Sequence, residues 1–180
     1  MNPNHHRLDV RRLAADAAEL TGEIAQEQFE RLRSSLLPPL ADLAAPPVMW
    51  RARGESRTVT GSAKQIRLHL QLRTRVALTC QRCLQRMEEA LDVERSFLLV
   101  ANEDEAARLD EESEEDVLVL ARQLDLLELI EDELILALPL VPRHAECPLP
   151  LDNPAADAEA PAPAQNPFAV LAALRKLPGG

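Results

Sequence analysis

Aromatic side chains are nearly absent: the 180 residues hold one Trp, three Phe and no Tyr. A surface that stacks unpaired bases on aromatic rings is therefore not expected. Glycine is scarce as well, with five in the chain and none in G-x-G-x-x-G or Walker spacing, so no phosphate-cradling loop is predicted. No Ser-centred nucleophile motif occurs. The carboxylates lie in runs, with none isolated in an apolar setting where a general acid could be tuned. These absences argue against an enzyme. Long apolar runs are missing too: the longest, residues 134–141, is short and interrupted by Pro139, too little to span a bilayer. Residues 1–6 lead into Arg7 and Asp9 with no apolar segment, so no signal peptide is expected. Cysteine is limited to three, an odd number, and two stand in C-x2-C. That usage suits a reducing, cytoplasmic setting better than a disulfide framework.

What the chain does have is a long stretch of period two. From Ile66 to Leu78 the even positions read Ile, Leu, Leu, Leu, Thr, Val, Leu, and the odd ones Arg, His, Gln, Arg, Arg, Ala. One face of a strand is then apolar and the other polar. After Cys80-Gln81-Arg82-Cys83 the alternation resumes. Met87, Leu91, Val93, Phe97 and Leu99 share one parity, and Arg86, Glu88, Asp92, Glu94 and Ser96 the other. The pattern predicts a long antiparallel hairpin with a C-x2-C knuckle at its tip. Six aliphatic side chains on one strand face, at roughly 1.5–3 kcal/mol each when buried, contribute on the order of 10 kcal/mol and demand a cover. Helical periods at residues 9–20, from about residue 25 to 36, and at 126–138 behind an Asp125 N-cap supply it. Thr21-Gly22 reads as a break, residues 48–53 as a strand with Val48, Trp50 and Ala52 on one face, and residues 54–62 as a loop. Residues 117–120 read as a short strand. The fold class expected is α+β: an antiparallel sheet built on the hairpin, packed by helices.

Charge is sharply separated along the chain. Residues 51–86 carry nine basic side chains against one acid, a net +8; residues 103–133 carry fourteen acids against two bases, a net −12, within an overall charge of −10. Arg51, Arg53, Arg67, Arg73, Arg75, Arg82 and Arg86 could form a basic face for a polyanion. The acidic region could hold a basic protein. The plainer alternative is that the two segments neutralise each other across the fold. The acidic run at 110–116 reads as a solvated loop.

One α+β domain is expected over residues 1–150. Residues 151–165, mostly Ala, Pro, Asp and Asn, read as a disordered linker. Asn166-Pro167 then opens a C-terminal helical segment, 166–180, with Phe168, Leu171 and Leu174 on one side as a docking surface in cis or in trans.

Cys80-x2-Cys83 and His144-x2-Cys147 form a possible Cys3His set for a structural zinc ion, since each half can present two ligands to one tetrahedral metal. The alternative is reduced thiols in a domain that folds without metal. Redox chemistry at Cys80 and Cys83 would need a depressed thiolate pKa, usually at a helix N-terminus, and no helix is predicted there.

Three segments in order carry a resemblance. They are Leu78-Thr79-Cys80-Gln81-Arg82-Cys83; then Glu131-Asp132-Glu133-Leu134-Ile135-Leu136-Ala137-Leu138-Pro139-Leu140-Val141-Pro142-Arg143-His144 with Cys147; and Asn166-Pro167-Phe168-Ala169-Val170-Leu171-Ala172-Ala173-Leu174. From about Val48 onward the chain resembles the bacterial YceD-like family, the large ribosomal RNA subunit accumulation proteins. The resemblance implies a cytoplasmic, non-enzymatic factor for accumulation of 23S ribosomal RNA and large-subunit assembly. It implies 23S ribosomal RNA or its precursor as the partner; the acidic region at 103–133 gives the alternative, a basic large-subunit ribosomal protein. The resemblance also favours pairing the Cys80/Cys83 knuckle with the His144/Cys147 region.

Overall fold

The period-two stretch forms the two longest strands of the protein, seen here in a computed structural model that describes residues 7–40, 44–58, 65–110, 115–119 and 123–147. In chain order the elements are α1 (Val10–Ala15), β1 (Glu19–Ile24), a 3-10 turn (Gln26–Gln28), α2 (Glu30–Ser35), β2 (Val48–Arg57), β3 (Gln65–Thr79), β4 (Arg86–Val100), α3 (Glu103–Asp110), β5 (Asp116–Val119) and α4 (Leu126–Leu136). The linker expected at 151–165 and the segment carrying Phe168, Leu171 and Leu174 lie outside the described residues.

The strands form one sheet in the order β1-β2-β3-β4-β5. The hairpin of β3 and β4 pairs in register from Ile66 opposite Leu99 to Thr79 opposite Arg86. β1–β4 are antiparallel, and β5 joins β4 in parallel, as its crossover through α3 requires. The fold is α+β, as the patterning predicts.

One sheet face is the core. Val48, Trp50 and Ala52 of β2, Leu68, Leu70, Leu72, Val76 and Leu78 of β3, and Met87, Leu91, Val93 and Phe97 of β4 are all buried. α1 covers β2 and β3, and α4 contacts both β4 and α2. α4 is capped as expected, with the Asp125 carboxylate accepting from the Glu128 N–H at 3.1 Å. Its buried Glu131 accepts from the N–H groups of Arg31 and Leu32 and from Arg31 Nε, at 2.7, 3.1 and 2.9 Å. It thereby satisfies the orphan donors at the start of α2, whose own N-cap residue, Phe29, offers no side-chain oxygen.

Three expectations are corrected. The first helix ends at Ala15, and Leu20, Thr21 and Gly22 belong to β1. A Cβ on Gly22 would stand 2.9 Å from the Trp50 ring, so this glycine makes room for the indole rather than breaking a helix. Residues 54–57 continue β2, and a Cβ on Gly54 would meet the α1 backbone at 2.5 Å. Both glycines serve close approach within a strand. The second helix is split at Phe29, which is extended and fully buried, while Gln26 plugs the edge of β3 by donating to Thr74 Oγ1 at 3.0 Å and Arg75 O at 2.8 Å. Residues 103–110, to which the patterning assigned no element, are helical, and residues 111–114 of the loop expected at 110–116 lie outside the described residues. Glu103, Asp104 and Glu105 occupy the first turn, where the helix dipole favours them, and Asn102 Oδ1 accepts from the Glu105 N–H.

Candidate metal centre

Six residues join β3 to β4. Cys80 N–H donates to Gln85 O and Leu84 N–H to Cys80 O, both at 2.9 Å, which closes a tight tip. The turn brings Leu84 to φ 59, the left-handed region. A side chain there costs about 1–2 kcal/mol relative to ordinary backbone, a cost glycine avoids. Pro139 follows the end of α4 and the chain turns back toward this tip, where Gln81 N–H donates to Pro142 O at 2.8 Å.

That return places Cys80, Cys83, His144 and Cys147 together, with one ligand atom from each lying within 4.8 Å of all the others. No disulfide links the three cysteines. His144 Nδ1 is 3.4 Å from Cys83 Sγ. Zinc with Zn–S of about 2.3 Å and Zn–N of about 2.0 Å spans a tetrahedral S···N edge of about 3.5 Å. The other ring nitrogen, Nε2, is 3.2 Å from Arg86 O. A carbonyl only accepts, so Nε2 carries the proton and Nδ1 turns its lone pair to the thiols, the arrangement that orients metal-binding histidines. Burial of the Cys80 thiol opposes its ionisation. The backbone N–H groups of Cys83, His144 and Arg82 and the Cys83 side chain outweigh that and bring it down to about 5. Thiolate is the form a metal binds. The set fits a tetrahedral, N/S-binding divalent ion, and four protein ligands suit a structural site rather than a catalytic one.

The predicted basic residues are not gathered in one place. Arg51, Arg53, Arg67, Arg73 and Arg75 share the sheet face opposite the core. That face also carries carboxylates from neighbouring strands. Arg51 lies 3.5 Å from Glu19, Arg73 sits 3.2 Å from both oxygens of Asp92, and Arg67 Nε reaches Glu115 at 2.8 and 3.1 Å. His69 bridges Ser96 and Glu55 at 2.8 and 3.0 Å. The His69 hydrogen bond, against the opposing effect of burial, and then the charges of His69, Arg67 and Arg53 hold Glu55 below the usual carboxylate range. Arg75 and Arg86 line a cleft of about 640 Å³ beside residues 36–40, and Arg86 Nη1 donates to Pro38 O at 2.7 Å. Arg82 stands apart, exposed on the knuckle.

Sequence reasoning overlooked the neighbours of the knuckle. Leu84 is 72% exposed, Leu140 100% and Val141 51%. Arg143, between Pro142 and the His144 ligand, is exposed as well. The position after the second cysteine of a C-x2-C, where the turn needs positive φ, was the readable signal.

A four-stranded antiparallel sheet extended by one parallel strand, with a Cys3His cluster at the hairpin tip, defines an α+β protein with a candidate structural metal knuckle. The family model "Large ribosomal RNA subunit accumulation protein YceD" matches residues 68–175. That span includes all four cluster residues, and the chain belongs to this family. It is also 33% identical over 162 residues, 88% of each chain, to the Large ribosomal RNA subunit accumulation protein YceD of Haemophilus influenzae. No solved structure matches. Among the described residues no helix is long and apolar enough to cross a membrane.

Proposed function

We propose that this protein is a non-enzymatic cytoplasmic factor that promotes accumulation of 23S ribosomal RNA, and with it large-subunit assembly. Its ligands would be 23S ribosomal RNA or a precursor, and a structural zinc ion would hold the hairpin tip. The observation that carries the reading is membership of the ribosomal RNA accumulation family across a span that contains the whole Cys3His cluster. The chemistry of the cluster supports zinc as a structural tie. Three thiols and an oriented imidazole fill a tetrahedral shell and leave no open position for water or substrate. The metal would fasten the chain after α4 to the β3–β4 tip, two segments about 60 residues apart in sequence, and so present that end of the molecule in one shape.

The test is the ratio of 23S to 16S ribosomal RNA after deletion of the gene, with complementation by wild type and by Cys80→Ser/Cys83→Ser. The expected result is a falling ratio restored by wild type and not by the double variant. An unchanged ratio on deletion would remove the reading.

A second reading, a module that holds a basic large-subunit ribosomal protein, is favoured by the exposed Glu103 and Asp104 at the start of α3. It requires that Glu103→Gln/Asp104→Asn abolish capture of such a protein while leaving RNA binding intact.

A further inference from the structure

The sheet face that looks basic in the sequence is partly neutralised by its own carboxylates, and Arg53 and Arg75 on it have no ion pair among the described residues. Arg51, Arg67 and Arg73 each have an acid at 3.5 Å or less. The knuckle end differs. Arg82 and Arg143 are exposed, and neither has an ion pair among the described residues. Residues 80–85 contain no carboxylate, and residues 138–147 contain one, Glu146. The backbone under both arginines is fixed. The Arg82 N–H faces the Cys80 sulfur, and Arg143 stands between Pro142, whose carbonyl accepts from Gln81, and His144, which lies against Cys83. Three exposed aliphatic side chains stand on the same two segments, Leu84 next to Cys83 and Leu140 and Val141 just before Pro142. Leu84 occupies a left-handed position where glycine would be free of strain, so its exposed side chain is kept against the local backbone preference.

We propose that the knuckle end is a binding site for single-stranded RNA. An unstacked base would lie against Leu84, Leu140 and Val141, with Arg82 and Arg143 on the flanking phosphates. The inference deepens the proposed ribosomal RNA role and rests on it. Size favours RNA over a protein partner. Three side chains fall far short of the roughly 800 Å² per partner that a standard protein interface buries. Charge favours it too, since two arginines with no ion pair among the described residues can neutralise phosphates with none of those pairs to break first. In a chain so poor in aromatics, aliphatic side chains and guanidinium planes are the surfaces a base can use.

The test uses the full-length, zinc-loaded protein and a fluorescein-labelled, unstructured 12-nucleotide RNA, with affinity read by anisotropy across a salt series. Arg82→Gln/Arg143→Gln is expected to weaken binding about tenfold and to flatten the log–log salt slope by about 1.4, since each phosphate on a single strand contributes about 0.7. Leu84→Gly is expected to weaken binding about threefold with the melting temperature unchanged or raised, because glycine relieves the backbone. No RNA binding by wild type would overturn the inference. So would weakening by Arg51→Gln/Arg73→Gln with no effect of the knuckle pair, which would move the contact to the sheet. If the knuckle variants keep RNA affinity but lose capture of a purified large-subunit protein, the patch is a protein site and the inference fails. The role and the site fail separately. A 23S to 16S ratio that falls on deletion yet is restored by the knuckle variants would sink the site alone. An unchanged ratio alongside knuckle-dependent RNA binding would sink the role alone.

Discussion

The outer face of the sheet and the knuckle end both carry arginines, and they differ in how many carboxylates stand beside them. On the sheet Arg51, Arg73 and Arg67 meet acids from neighbouring segments, Glu19 from β1, Asp92 from β4 and Glu115 just before β5, while Arg53 and Arg75 have no ion pair among the described residues. At the knuckle the backbone is occupied with metal-type ligands and the two arginines point outward without partners among the described residues. Counting charge along the chain places Arg82 in one basic block with the sheet arginines and leaves Arg143 outside it. Register separates them, because a cross-strand neighbour is set by pairing and not by distance in sequence.

The largest difference between the regions should appear on removal of the zinc ion proposed for the Cys3His cluster. Chelation, or Cys80→Ser, is expected to lower the melting temperature by about 10 °C. That equals a loss of roughly 3 kcal/mol at about 2–4 °C per kcal/mol for a chain of this size. Amide exchange should accelerate at residues 81–85 and 140–146, while the β2–β3 ladder keeps its protection. Equal acceleration in both places would mean that the sheet and the knuckle are one cooperative unit.

Within the sheet face the pairs themselves should rank by burial. Arg67→Ala takes a guanidinium from the half-buried Glu115 and should cost about 1–2 kcal/mol. Arg73→Ala, from an exposed pair with Asp92, should cost less than about 0.5 kcal/mol. Urea unfolding of the two variants measures both, and a reversed order would show that neutralisation on this face does not depend on depth.

The smallest expected effect lies on the core side. Burial raises the Glu133 carboxyl above its usual range, against the opposing charge and hydrogen bond of Arg95, with Asp116 and Asp132 pushing the same way as burial. A carboxyl whose folded pKa is raised favours the folded state in its protonated form. Its penalty is therefore absent at acid pH and grows as pH rises through the carboxylate range. Glu133→Gln, which never ionises, should gain stability relative to wild type between pH 4 and pH 7. A difference that stays flat or shrinks over that interval in urea titrations would contradict this assignment.

The hairpin was legible because period two over residues 66–78, resumed after the thiols, admits one register once a face must be buried. The Cys3His set was legible from two short spacings, although their meeting depends on Pro139 ending α4 and Pro142 docking on Gln81. Residues 19–24 were not legible as a strand. Residues 19 and 20 close a helical period and Thr21-Gly22 reads as a break, and only pairing with β2 and the Trp50 ring over Gly22 decides otherwise. Gln26 was equally opaque, since the β3 edge it plugs lies about 50 residues away.

By itself the amino-acid sequence determined the long hairpin, the thiol pair at its tip, the capped α4 helix and the family, all of which depend on neighbours within a few residues or on ordered motifs. The tertiary structure alone decided which arginines are neutralised, that Glu131 caps α2, and that Leu84, Arg82 and Arg143 share one end with the ligands. Each of these is a contact between distant segments. Its energy depends on register and burial, which exist only once the sheet is formed.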